Sequence, residues 1–168
     1  MKNMIVAVAC VEVEGQTLSV FAHDDGAIHV RSLTDDTKSG EWTNTHSGQV
    51  YAAACTVIDG RIQAVIGGSN GSVEVWDVAA GVLRATLISY AAPIQAVACI
   101  VIDGCPHAVT ACYGDRVVQV WDLLRFRQVD SIALPEPVRA LAAYGDDLVV
   151  GMGQEVVVLT RTPQPPGD

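Results

Sequence analysis

The chain has 168 residues, 50% of them hydrophobic and 17% charged, and carries a formal charge of −9. It is long and apolar enough to bury a core, which excludes a disordered chain. The acidic balance repels phosphate backbones and anionic lipid, so neither nucleic acid nor a membrane surface is expected as a partner.

The first apolar run, MKNMIVAVAC (1–10), falls well short of the roughly 18 apolar residues that a bilayer span requires. It resembles a short export signal ending at Cys10, but Glu12 and Glu14 follow at once. VACVEVEG (8–15) also returns as AACTVIDG (53–60) and VACIVIDG (97–104). The run is therefore read as a strand of a repeat and not as a targeting segment, and a cytoplasmic location is expected. Each such strand ends in an acidic-Gly pair (Glu14-Gly15, Asp59-Gly60, Asp103-Gly104), which is tight-hairpin chemistry.

A second apolar strand follows at 18–21, 64–66 and 108–110, and ends in Asp25-Gly26, Asn70-Gly71 or Gly114-Asp115. The third strand reads GAIHVRSL (26–33), SNGSVEVWDVAAG (69–81) and RVVQVWDLLRF (116–126). These align Arg31-Ser32, Trp76-Asp77 and Trp121-Asp122 at a 45-residue period. A more polar fourth strand is expected around Trp42, at 82–87 and at 129–134. The fourth copy starts at Pro135, has a first turn read as shortened (Tyr144-Gly145-Asp146-Asp147), and runs into TPQPPGD (162–168). Those prolines lack the ladder donor that a fourth strand needs. No window sustains a helical period. The expectation is an all-β domain over 1–162, with antiparallel meanders at about 4–45, 46–88, 89–134 and 135–161 and a Pro-rich tail at 163–168. Three units have four strands and the last has three.

Units of this length with a Trp-Asp closing the third strand resemble the WD-repeat β-propeller family, in which each unit is one blade. The best copy spans 46–81. His46 lies at that family's Gly-His position and Asn70 at its turn aspartate. The resemblance implies a His, Ser/Thr, Asp and Trp network locking each blade, which no copy completes. The second copy keeps His46 and Trp76 with Ile66 and Asn70; the third keeps Thr110, Asp115 and Trp121 with Tyr90 in place of His. The first keeps Asp25 alone, and the fourth keeps none. Rigidity is therefore expected from Val and Ile packing between sheets, with Asp77 and Asp122 as further repeat residues.

Residues with chemical potential all have a plainer reading. Cys10, Cys55 and Cys99 occupy one repeated place, as small apolar residues do. Cys105, His107 and Cys112 lack zinc-site spacing, and an odd count of 5 cysteines fits free thiols in a reducing compartment. His23, Asp24 and Asp25 have no nucleophile beside them and read as turn residues. Gly67-Gly68-Ser69-Asn70-Gly71 enters a strand, whereas a phosphate cradle needs a helix N-terminus. No catalytic residue, cofactor or metal is expected.

The resemblance implies a partner-binding face at the connections into first strands and at the second-to-third-strand turns. That face holds Tyr51, Gln95 and Arg139, then Asp24, Ser69 and Tyr113, with Tyr90 beside them. The expected function is a non-catalytic scaffold for protein partners. The alternatives are an architectural fragment or subunit of a larger propeller, or an enzyme with a pocket at the propeller axis. Propellers close with roughly 4 to 8 blades, and Met1, Lys2 and Asn3 are too few to supply the missing outer strand. A half-ring would expose rows such as Ile5-Ala7-Ala9 and Val156-Val158, so a homodimer of half-rings is expected, or a different protein supplying the remaining blades.

Overall fold

The computed structural model describes residues 4–35, 38–43, 48–89 and 91–162. Their alternating Val and Ala runs form antiparallel strands, each paired with the next in sequence. The first sheet holds β1 (Ile5–Val13), β2 (Gln16–His23), β3 (Ala27–Ser32) and β4 (Lys38–Thr43). The second holds β5 (Val50–Ile58), β6 (Arg61–Gly68), β7 (Ser72–Asp77) and β8 (Val82–Ser89). The third holds β9 (Ile94–Ile102), β10 (Cys105–Cys112), β11 (Val117–Asp122) and β12 (Arg127–Ala133). The fourth has three strands, β13 (Val138–Tyr144), β14 (Asp147–Met152) and β15 (Glu155–Thr160). The all-β architecture of three four-stranded sheets and one three-stranded sheet is the one the sequence predicts. No helix is long and apolar enough to cross a membrane among the described residues.

The acidic-Gly turns have left-handed backbone at both central positions: Glu14 and Gly15 at φ 51° and 77°, Asp59 and Gly60 at 51° and 72°, Asp103 and Gly104 at 51° and 73°. This turn geometry matches the twist of the strands it joins. The first turn of the fourth sheet is not shortened as expected. Tyr144 pairs with Asp147 across a two-residue loop, just as Val13 pairs with Gln16. The missing residues come from the strand instead, since β13 has 7 residues where β1, β5 and β9 have 9.

Each first strand carries a bulge after its first residue. The paired residues run Ile5 then Ala7, Val50 then Ala52, Ile94 then Ala96, and Val138 then Ala140. Val6, Tyr51, Gln95 and Arg139 are the extra, unpaired residues. The bulge shifts the alternation by one, so Ile5 does not share a face with Ala7 and Ala9 as the expected row required. Ala7 packs toward the second sheet, whereas Ile5 and Val8 are 56% and 55% exposed. The Val156 and Val158 row is exposed as expected, at 70% and 54%.

Three cores follow one another along the chain, each shared by two consecutive sheets. Val20, Ile28 and Val30 of the first sheet meet Val50, Ala64 and Ile66 of the second. Val65, Val73 and Val75 then meet Ile94, Ala108 and Trp121, and Val109, Val118 and Val120 meet Val138, Leu148 and Val150. The first strands lie side by side, β1 by β5, β5 by β9 and β9 by β13. Among the described residues no comparable packing brings β13 back to β1. The result is an open series of blades with two uncovered ends.

Candidate protein-interaction face

The bulges present Tyr51, Gln95 and Arg139 at one end of the sheets, because an unpaired residue is released from the ladder and re-aimed. The second-to-third-strand turns reach the same end. The backbone N–H of Asp24, Ser69 and Tyr113 donates to the carbonyls of Met4, Gln49 and Pro93 at 3.0, 2.8 and 2.8 Å. In the first two blades the side chain returns the bond: Asp24 Oδ1 accepts from Met4 N at 3.1 Å, and Ser69 Oγ from Gln49 N at 2.9 Å. In the third blade proline occupies that place and has no N–H to donate. Position 113 is thereby released from capping, and its tyrosine stands 64% exposed.

Tyr113, Tyr51, Pro93 and Gln95 line a shallow hollow of about 480 Å³ between the second and third blades. Tyr51 is 45% exposed. Gln95 Oε1 is buried without a hydrogen-bond partner among the described residues. Of the residues expected on the partner face, the structure gathers Tyr51, Gln95 and Tyr113. Asp24 and Ser69 tie down backbone, Arg139 stands exposed one blade away, and Tyr90 lies outside the described residues. Sequence reasoning missed Pro93. Its signal was a proline where the other copies, with Met4 and Gln49, offer a backbone donor.

The repeat residues hold each blade together in different ways. His46 lies outside the described residues. Trp121 Nε1 donates to Thr110 Oγ1 at 3.0 Å in a buried pair. In the second blade Ile66 offers no hydroxyl, and Trp76 Nε1 turns to Glu74 Oε2 at 2.9 Å. Asp25, Asn70 and Asp115 accept from the backbone of Ala27, Ser72 and Arg116 at 3.0, 3.1 and 2.7 Å. Asp77 and Asp122 are buried and cap the turn into the fourth strand. Asp77 also pairs with Arg61 at 2.9 Å and Asp122 with Arg125 at 2.7 Å. Burial alone would raise the Asp122 pKa, but hydrogen bonds from the Arg125 side chain and from the Leu124 and Arg125 backbone hold it below the ordinary carboxylate value.

Several of the groups weighed for chemistry are buried or held by neighbours. Burial, reinforced by the neighbouring Cys10 thiol, pushes the Cys55 pKa up to about 12. Burial also raises Cys99, and it lifts Cys112 to about 11 with help from Asp115. All three are thiols and not thiolate nucleophiles at neutral pH. Cys105 and Cys112 sit at opposite ends of β10, and His107 Nδ1 lies 2.8 Å from the Cys105 carbonyl. Among the described residues no three His, Cys, Asp or Glu side chains are arranged to hold a metal ion. His23 packs edge-on against His29 with ring centres 4.7 Å apart, while Asp24 and Asp25 hold backbone. A cavity of about 400 Å³ opens between the third and fourth blades. Its walls are largely aliphatic, and Arg161 in them is tied to Asp103.

No protein-family model matches the chain, and no characterised protein matches it by sequence. Solved structures do match. The computationally designed Ika4 protein is 20% identical, with a TM-score of 0.65 over 95% of this chain and 92% of that one. U3-55K is 17% identical, with a TM-score of 0.74 over 95% of this chain and 53% of that one. The WD40 repeats of RRP9 give 17% and 0.74 over 95% and 52%. The chain thus spans about half the length of the U3-55K and RRP9 structures. At these identities the likeness establishes fold alone, and the four sheets are propeller blades.

Proposed function

We propose that the chain is a non-catalytic protein-interaction module that completes its propeller by self-association and acts in the cytoplasm. The observation that carries the interaction reading is the hollow of Tyr51, Pro93, Gln95 and Tyr113. Two half-exposed tyrosines beside a proline give apolar contact area at low entropic cost, and tyrosine is a frequent interface anchor. A hollow this shallow and poor in titratable groups supports docking better than turnover. The structural likeness to WD40 repeats supports the same reading, and the unpaired cysteines fit a reducing compartment. A purely architectural role is favoured by one separate observation, the two uncovered end sheets.

Panning a peptide library against the purified chain tests the interaction reading. Enriched sequences are expected to lose about tenfold or more in affinity on Tyr51→Ala and on Tyr113→Ala, with the circular dichroism spectrum unchanged. Binders indifferent to both substitutions would overturn it.

A further inference from the structure

The outer face of the fourth blade repeats, position for position, a face that is buried elsewhere in the same molecule. On the second blade, Ala52 and Ala54 of β5, Val65 and Gly67 of β6, and Val73 and Val75 of β7 form one patch across three paired strands. That patch packs against the third blade. The corresponding patch on the fourth blade is Ala140, Ala142, Val149, Gly151, Val156 and Val158, joined by the same pairings. The six residue types are identical, yet here Val156 and Val158 face water.

The repeat also identifies what covers such a patch. Each buried junction sets the first residue of one blade's first strand against a small residue of the preceding blade. Val50 shares one core with Ala22, and Val138 shares another with Ala111. At the middle junction the larger Ile94 lies against Gly67, where an added Cβ would come within 2.7 Å of Ile94 Cβ. Alanine thus receives valine, and glycine receives isoleucine. The remaining small residue is Gly151, and the remaining first residue is Ile5, which is exposed in this chain. The two match by the same size rule.

We infer that the outer face of the fourth blade docks on the outer face of the first blade of a second copy, with Ile5 seated against Gly151. This rests on the reading that the chain self-associates and adds which faces meet, and in what register. The contact joins unlike faces, so it yields a closed ring where the rotation between copies closes and an open filament where it does not. Two four-bladed copies make a ring of eight, within the roughly 4 to 8 blades of known propellers, and three would overshoot it. Burying these apolar faces provides the driving force. Cys10, exposed here, stands at the repeat position of Cys55 and Cys99, which pack into the two junctions before the second and third blades. The docked pair buries it too.

Light scattering and sedimentation of the full chain test this. Wild type is expected at about twice the 17.7 kDa chain mass at about 50 µM. Gly151→Ala should weaken the dimer about tenfold or more by overfilling the junction. Adding Ile5→Val should restore most of the loss, because Ala with Val is the pairing the other junctions use. Val158→Asp should give a folded monomer in which Cys10 is alkylated by iodoacetamide, while the wild-type dimer protects it. A dimer unaffected by these substitutions, with Cys10 still reactive, would overturn the register and leave self-association standing. A wild-type monomer would overturn both.

Discussion

Trp121 and Trp76 occupy equivalent positions on β11 and β7, yet one residue across the strand decides what each can do. Thr110 gives Trp121 a buried hydroxyl acceptor at 3.0 Å, and Ile66 leaves Trp76 to find Glu74. Thr110→Val keeps the shape and removes the acceptor, which leaves a buried indole N–H unsatisfied. The expected loss is about 1–3 kcal/mol in urea unfolding. A loss below about 0.5 kcal/mol would mean that the indole finds another partner. Position 113 obeys the same logic from the opposite direction. Where Met4 and Gln49 supply an N–H, their partners Asp24 and Ser69 are caps. Where Pro93 does not, the residue is a tyrosine turned outward.

At the scale of the element, the recurrent bulge accounts for both the core and the candidate face. By inserting Val6, Tyr51, Gln95 or Arg139, it puts Ile5 with Val8, and Val50 with Ala53, on one side of the sheet, where strict alternation would separate them. The first residue of each first strand can then act as a knob against the preceding blade. Gly67 is the hole for Ile94, so Gly67→Ala should cost about 1–3 kcal/mol of stability by overpacking, with Ile94→Val recovering most of it. Chemical denaturation of the single and double variants checks this coupling, and additive losses would count against it. Gly151→Ala should leave the isolated chain unchanged, since its nearest neighbour is Ala140 Cβ at 3.6 Å.

At the scale of the whole molecule, three cores hold four blades in an open series, and stability at the ends depends on what covers them. If a second copy does, native chains are linked by mass action. Raising the concentration a hundredfold should then lift the thermal midpoint by about 3–5 °C. A midpoint independent of concentration in calorimetry would sink self-association as the source of end-blade stability. The 45-residue period, the acidic-Gly hairpins and the lack of helical periodicity made the blades legible from sequence, because these signals lie within one strand or turn. The candidate face was legible only in part. Tyr51, Gln95 and Tyr113 could be placed at one end of the blades by repeat position, but nothing local joined them to Pro93.

The all-β class, the meander order, the three-stranded last blade and the exposed Val156–Val158 row could all be read from the order of residues. Local turn chemistry and period-two patterning are sufficient for each of these. It took the folded chain to show that a bulge separates Ile5 from Ala7, that Asp24 and Ser69 cap backbone while Tyr113 does not, and that among the described residues no core joins the fourth blade to the first. The physical reason is common to all three. Register, reciprocal hydrogen bonds and sheet-to-sheet packing depend on which residues far apart in the chain come to lie opposite one another, and the order of residues within a single strand does not encode that.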